Sequence, residues 1–77
     1  MTNPMNDKAS AILHFLQNGD EFGELAIVEA VKGVDTVPTP AVLAALEARG
    51  LITLHRHDHS RFYSITDKGA ERAKMVA

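Results

Sequence analysis

The sequence contains no cysteine. Disulfides and thiolate metal sites are therefore excluded, and the core must hold the fold unaided unless a partner chain helps. Dimerisation is accordingly one expectation. A long apolar run is also missing: the longest, Ala41 to Leu46, falls far short of the roughly 18 residues that a membrane span needs. The N-terminus has no basic segment followed by an apolar one, so a soluble, cytoplasmic protein without membrane contact is expected. No glycine-rich phosphate loop is present. Gly19, Gly23, Gly33, Gly50 and Gly69 are scattered at expected helix ends, where capping explains them. Ser10, Ser60 and Ser64 lack a recognisable nucleophile setting, and no catalytic role or cofactor is expected.

Positive charge is not in excess either. Eight Lys and Arg stand against ten Asp and Glu, a formal net charge of −2, which argues mildly against a dedicated nucleic-acid binder because phosphate neutralisation supplies most non-specific affinity. The distribution is more informative than the sum. Residues 1–38 carry two lysines and six carboxylates, for −4, whereas residues 39–77 carry six cations and four carboxylates, for +2 before any histidine is counted. An anionic partner is thus favoured at the C-terminal half.

A chain of 77 residues makes one small domain that buries only about 60% of the surface its unfolded form exposes. Residues 1–5 read as a disordered lead-in and 6–77 as the domain. Asn6 offers an N-cap, and Ala9, Ile12, Leu13 and Leu16, widened by Phe15, recur at helical spacing until Asn18-Gly19. After a polar break over Asp20 to Gly23, residues Glu24 to Lys32 read as a second short helix with Leu25, Ile27, Val28 and Val31 as its apolar side chains. Thr39 is placed to cap a third helix, with Pro40 at its first position and Gly50 as its stop. Val42, Leu43 and Leu46 face inwards on this helix, and Ala41, Ala44, Ala45, Glu47 and Ala48 face outwards.

Leu51 to His55 and Arg61 to Thr66 alternate like paired strands. Pairing Arg56 with Arg61 sets Leu54 opposite Tyr63 and Ile52 opposite Ile65, which brings the four larger apolar side chains to one face. Without a glycine in His57-Asp58-His59-Ser60, a loop of about four residues is expected there. Thr66 then caps a last helix from Asp67 towards Val76.

Two stretches suggest a family. Ala45-Leu46-Glu47-Ala48-Arg49-Gly50-Leu51-Ile52, followed by Arg61-Phe62-Tyr63-Ser64-Ile65-Thr66-Asp67-Lys68-Gly69, resembles the winged helix-turn-helix of MarR- and PadR-type transcriptional regulators. The resemblance extends over about residues 6–77 and is specific over 42–69. It implies an α+β fold of three helices, a two-stranded antiparallel hairpin wing and a short C-terminal helix. It also implies a DNA-binding function, with helix 39–50 in a major groove and the hairpin against phosphate or the adjacent minor groove. Carried over residue by residue, the contacts fall on Thr36, Thr39, Ala41, Ala44 and Ala45 on the helix side and on Arg56, His57, His59 and Arg61 in the wing.

The same residues have structural roles to weigh beside this. Leu46, Leu51, Ile52, Tyr63 and Ile65 serve as core, Gly50 as a left-handed cap and Thr66 as an N-cap. His55, His57 and His59 would lie on one side of a strand, about 7 Å apart at successive positions, but zinc needs converging ligands, so a solvated wing is expected and no metal. Histidines beside Arg56 and Arg61 would add positive charge as pH falls. Two functions stay open: duplex binding, which the wing cations favour, and a protein–protein module docking through the alanine-rich outer face of helix 39–50. That face has no Arg, Asn or Gln for bidentate base contacts.

Overall fold

The structure is a computed structural model and describes residues 7–75; the expected lead-in over 1–5 and the Asn6 cap lie outside them. In chain order the elements are α1 (Asp7–Phe15), β1 (Phe22–Gly23), α2 (Glu24–Ala30), α3 (Thr39–Ala48), β2 (Ile52–His57), β3 (Ser60–Ile65) and α4 (Asp67–Met75). The expected small α+β winged helix is what forms. Among the described residues, no helix is long and apolar enough to cross a membrane.

Helical spacing puts Ala9, Ile12 and Leu13 on the buried face of α1, and Leu16 joins them from the turn that follows. They pack with Ile27 and Val31, with Val42, Leu43 and Leu46 of α3, with Leu51, Ile52 and Tyr63 of the sheet, and with Ala73 of α4. Each large side chain so buried contributes about 1.5–3 kcal/mol, which is how a domain without covalent staples reaches stability. Leu25 is the exception among the expected apolar positions of α2: it is 80% exposed, because this helix buries only Ile27 fully and ends at Ala30 rather than Lys32.

The hairpin has the expected register, with Ile52 opposite Ile65, Leu54 opposite Tyr63 and Arg56 opposite Arg61. Its tip differs. Pairing continues to His57 and Ser60, which leaves a two-residue turn, Asp58-His59, instead of a four-residue loop. Asp58 adopts φ 57°, a left-handed conformation that aspartate tolerates better than most residues, so the tight turn forms without glycine. The stretch read as a polar break holds a third strand: Phe22 pairs with Tyr63 and Gly23 with Phe62, giving the sheet order β1-β3-β2.

At the start of α3, Pro38 is the N-cap in an extended conformation, and its carbonyl accepts the amides of Ala41 and Val42. Thr39 is therefore the first helical residue and Pro40 the second, one position on from the expected cap. Thr39 is also buried, at 6% exposure. The other end closes as expected, with Gly50 at φ 76°. Its amide bonds Glu47 and that of Leu51 bonds Leu46, the two bonds of a Schellman closure.

Candidate nucleic-acid interface

Two elements carry the residues that the resemblance implies. On α3, Ala41, Ala44 and Ala45 are exposed, and Thr36 is exposed in the preceding connector; Thr39 is not, so eight of the nine positions are open to a ligand. The wing carries Arg56, His57, His59 and Arg61, all exposed. Arg56, His59 and Arg61 line one depression at the tip together with Asp58 and Ser60, with a volume of about 220 Å³. Arg56 and Arg61 are directly opposed across the ladder, an arrangement in which like charges repel.

The histidines part company. His59 sits in the turn, but His55 and His57 share a face of the sheet and converge on Glu21, immediately before β1. Glu21 Oε1 is 2.9 Å from His57 Nε2, and its Oε2 is 3.9 Å from His55 Nδ1. A carboxylate only accepts, so Nε2 of His57 carries the hydrogen. His55 Nε2 lies 2.8 Å from Ser64 Oγ, and the His57 ring meets the Phe62 ring edge-on at 5.1 Å. Ser64, His55 and Glu21 stand in the order of a hydrolytic triad. The 3.9 Å separation is too long for the hydrogen bond that would orient the imidazole, and the nearer Glu21 oxygen is committed to His57. Among the described residues no cluster of His, Asp and Glu could hold a metal ion.

Below the wing, Tyr63 is buried. Burial pushes its phenol up, Glu24 and Glu47 add to the effect, and Arg61 opposes it. A second polar tie fixes the connector that delivers α3. Asp35 accepts the Lys8 amide at 3.0 Å and the Val37 amide at 2.9 Å, while the Lys8 ammonium lies 3.6 Å from Asp35 Oδ1 and donates to the Val37 carbonyl. Partial burial works against the charged form of Asp35, but the Val37 and Lys8 amides and the Lys8 ammonium outweigh it and hold the carboxyl below its ordinary range.

Glu21, Lys8 and Asp35 have no signal of their own in the sequence, and Ser64 stands out there only as a serine without a nucleophile setting. Glu21 meets the histidines only because a two-residue strand pairs across a gap of some forty residues, and two residues are too few to show an alternating pattern. Lys8 and Asp35 enter the sequence only as two charges in the balance of the acidic N-terminal half.

No family model and no curated protein matches the sequence. Solved structures do. The chain is similar to Bordetella bronchiseptica BpsR, described by the regulation of its DNA binding by 6-hydroxynicotinic acid, with a TM-score of 0.81, 18% identity, and coverage of 96% of this chain and 53% of that one. It is also similar to AF1382 from Archaeoglobus fulgidus, with a TM-score of 0.73, 19% identity and coverage of 95% and 84%. A double mutant of Lactococcus lactis ZitR gives a TM-score of 0.71, 24% identity and coverage of 94% and 50%. The chain thus spans about half the length of BpsR and of ZitR. At these identities the likeness is one of fold, and that fold is the winged helix implied by the resemblance to MarR- and PadR-type regulators.

Proposed function

We propose that this domain binds duplex DNA in the cytoplasm as part of a transcriptional regulator, with α3 in a groove and the β2-β3 tip against the backbone. The observation that carries this is the opposed pair Arg56 and Arg61 at the exposed wing tip. Two like charges held face to face across a ladder cost stability, and an anion between them turns that cost into binding energy. A backbone phosphate supplies the anion. The outer face of α3 adds close approach and methyl contacts from Ala41, Ala44 and Ala45, which suit a thymine methyl but read little sequence. Specificity therefore rests on DNA shape and on pairing two domains along one duplex, each giving a few phosphate contacts.

The test is fluorescence anisotropy of a short labelled duplex over a range of salt concentrations. Each phosphate contact adds about 0.9 to the slope of log affinity against log salt. Replacing Arg56 and Arg61 together by Gln is expected to lower that slope by about 2, and an unchanged slope would remove the wing from the interface.

A further inference from the structure

The carboxylate of Glu21 marks a site. Most surface glutamates extend into water, but this one lies across the outer face of the sheet, with one oxygen 2.9 Å from His57 Nε2 and the other 3.9 Å from His55 Nδ1. Both imidazoles are oriented independently of it. His55 is tied through its other nitrogen to Ser64 at 2.8 Å, and His57 is set edge-on against Phe62. The two rings come from alternate positions of β2, so the pleat points both to the same side. The result is one ring nitrogen within hydrogen-bond distance of an oxyanion and a second facing it from just beyond that distance, with an acid of the chain itself as occupant.

We infer that His55 and His57 form a phosphate-binding site on the outer face of the wing and that Glu21 occupies it as an internal competitor in the free protein. The inference builds on the wing's proposed role in DNA binding. A phosphate oxygen has the acceptor character of a carboxylate oxygen, and it can take the hydrogen of His57 Nε2 once Glu21 swings away. That displacement is inexpensive, because Glu21 is exposed and an ion pair at the surface contributes little. Displaced, Glu21 no longer occupies the hydrogen of His57 Nε2, and the wing meets phosphate with the rings free. The phosphate can belong to the duplex backbone or to a free phosphate ion, since the two imidazoles would recognise the same group in each.

Two arms test this with the whole chain, in wild type, Glu21→Ala and Glu24→Ala; the last removes the same charge three residues away without touching the histidines. In the first arm, inorganic phosphate is titrated at constant pH and ionic strength while the ring nitrogens are followed by NMR. The His55 and His57 signals of Glu21→Ala are expected to move saturably, with much smaller changes in wild type and Glu24→Ala. Static ring signals in Glu21→Ala, or an equal response in Glu24→Ala, overturn the site. In the second arm, Glu21→Ala is expected to bind a short duplex about threefold to tenfold more tightly than Glu24→Ala, and adding His57→Ala to it should abolish the gain. If phosphate moves the rings while no variant binds duplex, the site stands with free phosphate as its ligand, and the DNA reading of the wing falls separately.

Discussion

Thr66 donates its hydroxyl hydrogen to the carbonyl of Gly50 at 2.7 Å while the same oxygen accepts the amide of Gly69 at 3.0 Å. One side chain therefore closes α3 and opens α4. The Thr66 amide adds a bond to the Leu51 carbonyl at 3.1 Å, and Gly69 sits so close to that carbonyl that a Cβ would strike it. The two sequence stretches that suggested a regulator family are thus two halves of one joint. Gly-Leu ends the third helix, and Thr-x-x-Gly docks the fourth onto that end.

Removing either half should loosen the joint. Thr66→Val, which keeps the shape and loses the hydroxyl, is expected to cost about 1–2 kcal/mol in urea unfolding. Gly69→Ala is expected to cost about 1–3 kcal/mol, because the obstructing atom is backbone and cannot rotate aside. Gly33→Ala makes the contrast: nothing lies within 4 Å of its Cβ position, and only the φ of +83° is strained, so a loss of about 1 kcal/mol is expected.

Acid should act through Asp35. Its folded carboxyl titrates below the ordinary value of 3.8, so the group contributes stability that is fully present above that value and is lost as pH falls through the folded pKa. Asp35→Asn is expected to be less stable than wild type at pH 7, with the gap closing below about pH 4. Thermal unfolding from pH 7 to pH 2 checks this, and a gap that stays constant with pH would contradict it.

The α2 positions should separate by burial. Ile27, fully buried, is expected to lose about 2–5 kcal/mol on replacement by Ala. Leu25→Ala, at an 80% exposed position, should stay within about 0.5 kcal/mol of wild type. Denaturant titration of the two variants in parallel decides it.

At the wing tip, Asp58→Gly removes a left-handed non-glycine residue and one negative charge from the depression lined by Arg56 and Arg61. Stability is expected to be unchanged or to rise by up to about 1 kcal/mol, and duplex affinity at low salt to increase. Weaker binding by a variant that is no less stable would show that Asp58 is itself a contact.

What could be read from sequence follows from how local each signal is. Helices with three or more apolar residues at helical spacing, as in α1 and α3, announce themselves. The register of β2 and β3 follows from having only one way to put Ile52, Leu54, Tyr63 and Ile65 on the same face. The Thr66 cap and the Gly50 stop are local chemistry, legible within five residues. Apart from the α3 cap, which falls on Pro38 rather than Thr39, the misses are non-local or depend on a single dihedral angle. β1 exists only through its pairing with β3, and the tight turn depends on Asp58 accepting a positive φ. Leu25 looks inward by composition, but its short helix buries one side chain deeply and leaves the next in solvent. At the interface the same division holds: the wing cations were visible as residues, whereas the link between Glu21 and the histidines required the sheet to be assembled.

The most direct measurement for the DNA-binding account is an amide NMR titration of the labelled chain with short duplex DNA at low salt, repeated at higher salt. Shifts are expected at Thr36, Ala41, Ala44 and Ala45 of the helix side and at Arg56, His57, His59 and Arg61 of the wing, all fading as salt rises. A spectrum that stays unchanged at millimolar duplex, or shifts confined to the acidic surface around Glu24 and Glu29, would contradict it.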